Sequence, residues 1–304
     1  MVALLRTISV LSEHEALGTQ MSTKMRSEYG ERLVACFDFS GALQLKSMRG
    51  GCNEFFPPIS LSLFGIMFVV PRPGGGYCHR YIDIFSFGND HTSEFAAAAL
   101  KCGTNHAEEI GFISGIENGA SWYSDKGKHF CSGEMVYRVL FDISGKSQDA
   151  SFTFWVCYHG KTALDGHFAR LKDRMKQIVV EKWPKNKMEI ESAILSAAKK
   201  MPNTGAVFLG NFSSQSTKKA IVIPNISCIQ SVYRKTDPIT LKDTLIVENT
   251  QIPIRVKTTQ RNGGTSAREA DPVARGGCNS ESATELCGKL SKQQGKLKRY
   301  RDSR

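Results

Sequence analysis

Residues 57–88, PPISLSLFGIMFVVPRPGGGYCHRYIDIFSFG, constrain the fold of this chain more than any other stretch. Ile59, Leu61 and Leu63 alternate with serines, and the run is then apolar up to Pro71. Apolar residues in this pattern mark a strand. A glycine-rich turn follows, and YCHRYIDIFSFG reads as a second strand. Another precedes both: ERLVACFDFSGALQL carries an apolar run consistent with a buried strand, closed by a Ser-Gly turn. Three strands thus stand before the first long helix of the core.

From there the pattern alternates. NDHTSEFAAAALKCGTN predicts a helix, with Asp90, Thr92 and Ser93 offering a cap and Gly103 a stop. GASWYSDKG predicts a short strand ending in a polar turn, and SGEMVYRVLFDIS a short helix. SFTFWVCYHG is rich in aromatic and β-branched residues and predicts a strand. LDGHFARLKDRMKQIVVEKW and KMEIESAILSAAKK predict two helices, ended near Pro184 and Pro202. The order βββ-α-β-α-β-α is that of a ribonuclease H-like fold, so the expected class is α/β: a mixed five-stranded sheet flanked by helices. A helix within 1–30 would lead into a core over 31–203. Short strands over 204–257 predict a small β-rich C-terminal appendage. Residues 258–304, poor in apolar periodicity, predict a disordered basic tail.

In a fold of this kind the first strand is central and carries an acid. The fourth strand ends in a second, and the helix after the fifth supplies a third. Asp38 lies in LVACFDF, Asp125 ends SWYSDKG, and Asp165 opens the helix after YHGKTALDGHF. Clustered carboxylates suit two-metal phosphodiester chemistry, because Mg²⁺ or Mn²⁺ takes hard oxygen ligands and neutralises their repulsion. Each acid also has a plainer explanation: a strand-end turn for Asp38, a turn beside Gly127 for Asp125, a helix cap for Asp165. Asp83, Asp142, Asp149 and Asp173 are poorer candidates.

The segments FDFSGALQL, WYSDKGKHF and YHGKTALDGHFARL resemble three blocks of eukaryotic DDE/DDD-type transposase-like proteins, over about residues 10–200. The resemblance implies a metal-dependent DNA nuclease and strand-transferase core in the nucleus, with Asp38, Asp125 and Asp165 as metal-binding acids. It also brings His129, His159, Lys161 and His167 near DNA, with proton transfer as a further role for the histidines and structural hydrogen bonding as the alternative. Ser40, Ala42, Lys126, Lys128 and Leu164 depart from the family pattern. The chain begins almost at the core, so a truncated or domesticated copy is expected. A catalytically inactive, transposon-derived DNA-binding protein is therefore the alternative function.

Charge points to the same partner. Lys and Arg exceed Asp and Glu by 11, and residues 251–304 contribute twelve Lys/Arg against five Asp/Glu. Such an excess favours polyanions, nucleic acid first. Lys126, Lys128, Arg170, Lys172 and Arg174 would hold DNA beside the acids. A homo-oligomer is allowed. No apolar stretch is long enough to predict a membrane span, and no secretory signal is expected. Nine scattered cysteines without CxxC spacing predict reduced thiols, with a zinc site from His129, Cys131, Cys157 and His159 as a lesser alternative.

Overall fold

The apolar runs become strands of one mixed sheet with helices on both faces, an α/β architecture. The computed structural model describes residues 22–260 apart from 42, 46–58, 89, 115–117, 156–161, 182–185, 211–216, 238, 239, 241, 248, 249 and 253–255, together with 16, 19 and 20. The elements are β1 (Leu33–Phe39), β2 (Leu43–Leu45), β3 (Ile59–Pro71), β4 (Tyr77–Phe87), α1 (Ser93–Glu109), β5 (Ala120–Ser124), α2 (Gly133–Tyr137), β6 (Asp149–Phe154), α3 (Ala163–Glu181) and α4 (Lys187–Lys199). They continue with β7 (Thr204–Phe208), β8 (Thr217–Ile221), β9 (Ser231–Thr236), β10 (Asp243–Val247), β11 (Thr250–Ile252) and β12 (Val256–Gln260). A wider, π-type turn over Arg138–Ile143 extends α2. Among the described residues no helix is long and apolar enough to cross a membrane.

Strand period explains why the central runs are continuously apolar. Successive side chains point to opposite faces, and both faces are covered. On β1, Leu33, Ala35 and Phe37 enter one layer with α1 and α2, while Val34 and Cys36 enter the other with α3 and α4. β3 divides likewise: Phe64, Ile66 and Phe68 face α1, and Leu61, Leu63 and Met67 face α3. Met25, in the helical segment 22–27, closes the α3 layer against Cys36.

The centre of the sheet runs β4-β3-β1-β5-β6. β3 is antiparallel to both β1 and β4, and β5 is parallel to both β1 and β6. The expectation of five strands and a separate appendage needs correction. The sheet has ten strands. β7 adds parallel to β4 at one edge, and β9, β10 and β11 extend the other edge beyond β6. Unpaired edge strands expose backbone donors and acceptors, and the later strands satisfy them. Only β8 and β12 form a separate two-stranded sheet among the described residues. Within the expected tail, 258–260 belong to β12, and 261–304 lie outside the described residues.

α1 starts as expected, with Thr92 Oγ1 accepting the Phe95 N–H at 3.2 Å. It does not stop at Gly103 but runs on to Glu109. Gly103 lies where the helix meets the sheet, and a Cβ there would fall 2.7 Å from Ile66 and 2.8 Å from Ile84. The glycine permits close packing and is no terminator.

Candidate functional site

Asp38 is the next-to-last residue of β1, and its side chain shares the parity of Val34 and Cys36, toward α3. Its Oδ1 accepts the Phe39 N–H at 2.7 Å. β5 runs parallel beside it with Cys36 opposite Tyr123. Asp125 follows directly after the end of β5, and its charge acts on the Asp38 carboxyl. Asp125 Oδ1 accepts the Gly127 N–H at 3.0 Å.

Asp165 arrives on the third element. Thr162 precedes α3, and its Oγ1 accepts the Leu164 N–H at 3.2 Å, while Asp165 Oδ2 accepts the Thr162 N–H at 3.0 Å. This reciprocal pair is a capping box, so the capping role weighed for Asp165 is realised, and the residue remains exposed. The helix seats over β3 where Gly65, opposite Asp38, leaves room. A Cβ on Gly65 would lie 2.5 Å from Phe168 and 3.1 Å from Leu164.

The three acids share one electrostatic neighbourhood. The Asp38 carboxyl is pushed up to about 8, first by burial, then by the Asp125 charge, with a smaller push from Asp165; the Phe39 N–H opposes them. A cation would relieve this cost, because it stabilises the ionised form. Each carboxylate gives one oxygen to a backbone N–H and offers a second, a hard-oxygen set suited to Mg²⁺ or Mn²⁺. Among the described residues, however, no three His, Cys, Asp or Glu side chains converge closely enough to hold a metal ion as they stand.

An aromatic rim adjoins the acids. Phe39, next to Asp38, stacks on His91 with centroids 4.5 Å apart and meets His129 edge-on at 4.9 Å. Nε2 of each histidine is buried without a hydrogen-bond partner. Burial lowers the pKa of both; for His129 the Asp125 charge opposes this and His91 reinforces it. Gly127 keeps the space between Asp125 and His129 open: a Cβ there would stand 2.9 Å from Asp125 Oδ1 and from His129 Nε2. His91 escaped the sequence reading, since it stands between cap residues and carries no motif of its own.

The remaining candidates separate. Lys128, Arg170 and Arg174 are exposed, and Lys126 is half-buried beside Asp125. Lys172 is turned inward and donates to the Ser40 carbonyl; burial lowers its pKa, with Lys176 adding to the effect. His167, expected near DNA, is in the core at 1% exposure, paired with Asp83 at 2.9 Å. His159 and Lys161 lie outside the described residues, as does Cys157. Of the zinc alternative only His129 and Cys131 are described, and the Cys131 thiol donates to the Ile226 carbonyl at 3.3 Å.

Comparison of the chain with protein-family models, with curated proteins and with solved structures finds no match.

Proposed function

We propose that the chain is a transposase-like protein with a ribonuclease H-like core, which cleaves DNA and transfers strands by metal-dependent phosphodiester chemistry in the nucleus. The observation that carries this reading is the placement of Asp38 at the end of β1, Asp125 just past the end of β5 and Asp165 in the first turn of α3, with the charges of the latter two acting on the Asp38 carboxyl. A half-buried carboxyl beside like charges is costly to keep ionised unless a cation offsets them. The order and directions of β4, β3, β1, β5 and β6 support the core assignment, since they set β1 and β5 side by side and parallel, with the start of α3 packed over Gly65 of β3.

In this reading Asp38, Asp125 and Asp165 bind divalent cations through the oxygens that their backbone contacts leave available. Mg²⁺ or Mn²⁺ held by these acids would supply activation of the attacking oxygen and charge stabilisation at the leaving oxygen. The Phe39, Gly127 and Thr162 N–H groups fix the rotamers of the three acids. Lys126, Lys128, Arg170 and Arg174 hold the phosphate backbone without reading its sequence. The test is nicking of supercoiled DNA: it should require Mg²⁺ or Mn²⁺ and disappear in Asp125→Ala while DNA binding persists. Nicking that survives both Asp125→Ala and chelation would refute the assignment.

One observation favours a second reading, a DNA-binding protein without catalysis. Asp165 is spent in a capping box, and the acids do not converge tightly. DNA binding with no cation-dependent nicking would select this reading.

A further inference from the structure

Phe130, Phe39 and His91 form a group of nearly parallel rings beside Asp38. The Phe39 ring lies 5.5 Å from Phe130 at 15° and 4.5 Å from His91 at 10°, centroid to centroid. Phe130 is fully buried, whereas Phe39 and His91 are half-buried, so the group starts in the core and ends at the surface. Phe39 is the only ring that touches His91 among the described residues. The second face of the imidazole is therefore not taken up by a ring. Its Nε2 is buried without a hydrogen-bond partner, so the residue offers a face and not that nitrogen.

The ring is held in place before any ligand arrives. Ser62 Oγ on β3 accepts the Asp90 N–H at 2.7 Å and donates to the Asp90 carbonyl at 3.0 Å. The Thr92 N–H donates to Asp90 Oδ1 at 2.9 Å, and Thr92 Oγ1 caps α1. Both chain neighbours of His91 are thus pinned, and a pre-organised contact costs less ordering entropy on binding. Cations stand beside the rings. His129 meets Phe39 edge-on at 4.9 Å, and the segment leading to it from Asp125 carries Lys126 and Lys128.

We propose that His91 extends the Phe39 stack to an unpaired nucleobase, so that the preferred DNA carries a single-stranded or bulged base beside Asp38. This rests on the reading of the chain as a DNA-binding protein and requires no metal ion. A ring face beside lysines suits a nucleotide, since the phosphates meet the cations while the base lies on the ring. Inside a duplex both faces of a base are already stacked, so only a base outside the helix can take this place. Phosphate contacts alone carry no such discrimination.

The test uses the full chain and two labelled DNA duplexes, one fully paired and one with a single bulged 5-iodouracil. Fluorescence anisotropy reads affinity, and irradiation crosslinks the iodouracil to a ring stacked on it. The parent should bind the bulged duplex about 5–10-fold more tightly than the paired one, with the crosslink at His91. Stacking releases no counterions, so this ratio should hold across a salt series in which both affinities fall. His91→Leu keeps an apolar side chain but no flat ring; it should bring the two affinities together and abolish the crosslink at that position. His91→Phe should keep both. If His91→Leu does not fold, the parent and His91→Phe carry the test. Equal affinities in the parent, a ratio unchanged in folded His91→Leu, or a crosslink only elsewhere overturns the proposal while leaving DNA binding intact. If neither duplex binds, the DNA reading itself falls, and the proposal falls with it.

Discussion

Phe168 of α3 packs directly onto Gly65 of β3, where the missing side chain lets the helix approach the sheet closely. A Cβ on Gly65 would lie 2.5 Å from Phe168 Cε1 and 2.6 Å from Cζ. An aromatic ring within a packed layer has little freedom to withdraw. Gly65→Ala should therefore destabilise, although alanine normally suits a strand better than glycine. The expected loss is about 1–3 kcal/mol, read as a lower urea midpoint with an unchanged slope. A midpoint at or above that of the parent would show that α3 does not rest on Gly65.

The Asp38 carboxyl makes the stability of the cation-free protein depend on pH in a defined direction. Its pKa is about 8 in the folded chain against an ordinary 3.8. Between those values the folded state holds a proton that the unfolded chain has released. Stability from this group is thus full below about pH 4 and is lost as pH rises toward about 8, by on the order of 5 kcal/mol. Asp38→Asn abolishes the loss. The variant should be more resistant to urea than the parent at pH 8.5, with the gap narrowing at pH 5. Added Mn²⁺ should narrow it at pH 8.5 as well, by stabilising the parent. Equal pH profiles for the two proteins would contradict the partial burial and charge crowding of Asp38.

Arg234 tests whether the late strands are integral to the fold. It lies on β9, at 3% exposure, and its Nη2 donates at 2.6 Å to the carbonyls of Ser144 and Ser147. Its guanidinium also covers Phe141, centroid distance 5.5 Å, and stands 3.5 Å from Asp243. Arg234→Met leaves two carbonyls without their donor, and Asp243 without its cation. The expected cost is about 2–4 kcal/mol, visible in chemical denaturation. A loss confined to a local change in β9–β11, with the main transition unmoved, would mean that these strands fold apart from the central sheet.

How much of this was legible before folding depends on the range of the interaction concerned. The runs in β1, β3 and β4 announce themselves because period and burial are local properties. So does the start of α1, where Thr92 caps the helix. The joining of β7 and β9–β11 to the central sheet was not legible, since short strands look alike and their partners are far away in the chain. Gly103 was misjudged because a glycine in contact with Ile66 and Ile84 has the same letter as one at a helix end. His167 is a different case. It falls three residues after Leu164 and four before Leu171, on the apolar stripe of α3, so its burial could have been read from spacing. The elements that carry Asp38, Asp125 and Asp165 were legible, and so was the helix-cap role of Asp165, which a Thr-x-x-Asp spacing announces locally.

The last prediction concerns the basic surface. Lys128, Arg170 and Arg174 are exposed and Lys126 is half-exposed, on the two segments that also carry Asp125 and Asp165. Lys172 is not equivalent to them, because its ammonium is already bound to the Ser40 carbonyl. Duplex DNA should bind with little sequence preference through these groups, since Lys and Arg side chains on an open surface meet phosphates rather than base edges. Each phosphate contact contributes about −0.9 to the slope of log affinity against log salt. Replacing Lys126, Lys128, Arg170 and Arg174 by serine should flatten that slope by up to about 3–4. Lys172→Ser should change the slope little and lower stability instead. Deleting residues 261–304 should flatten the slope further without abolishing binding, because the core retains its own cations. Fluorescence anisotropy with a labelled duplex across a salt series measures all three. A slope unchanged in the quadruple variant, or binding lost entirely with residues 261–304, would place the DNA contacts away from the acids.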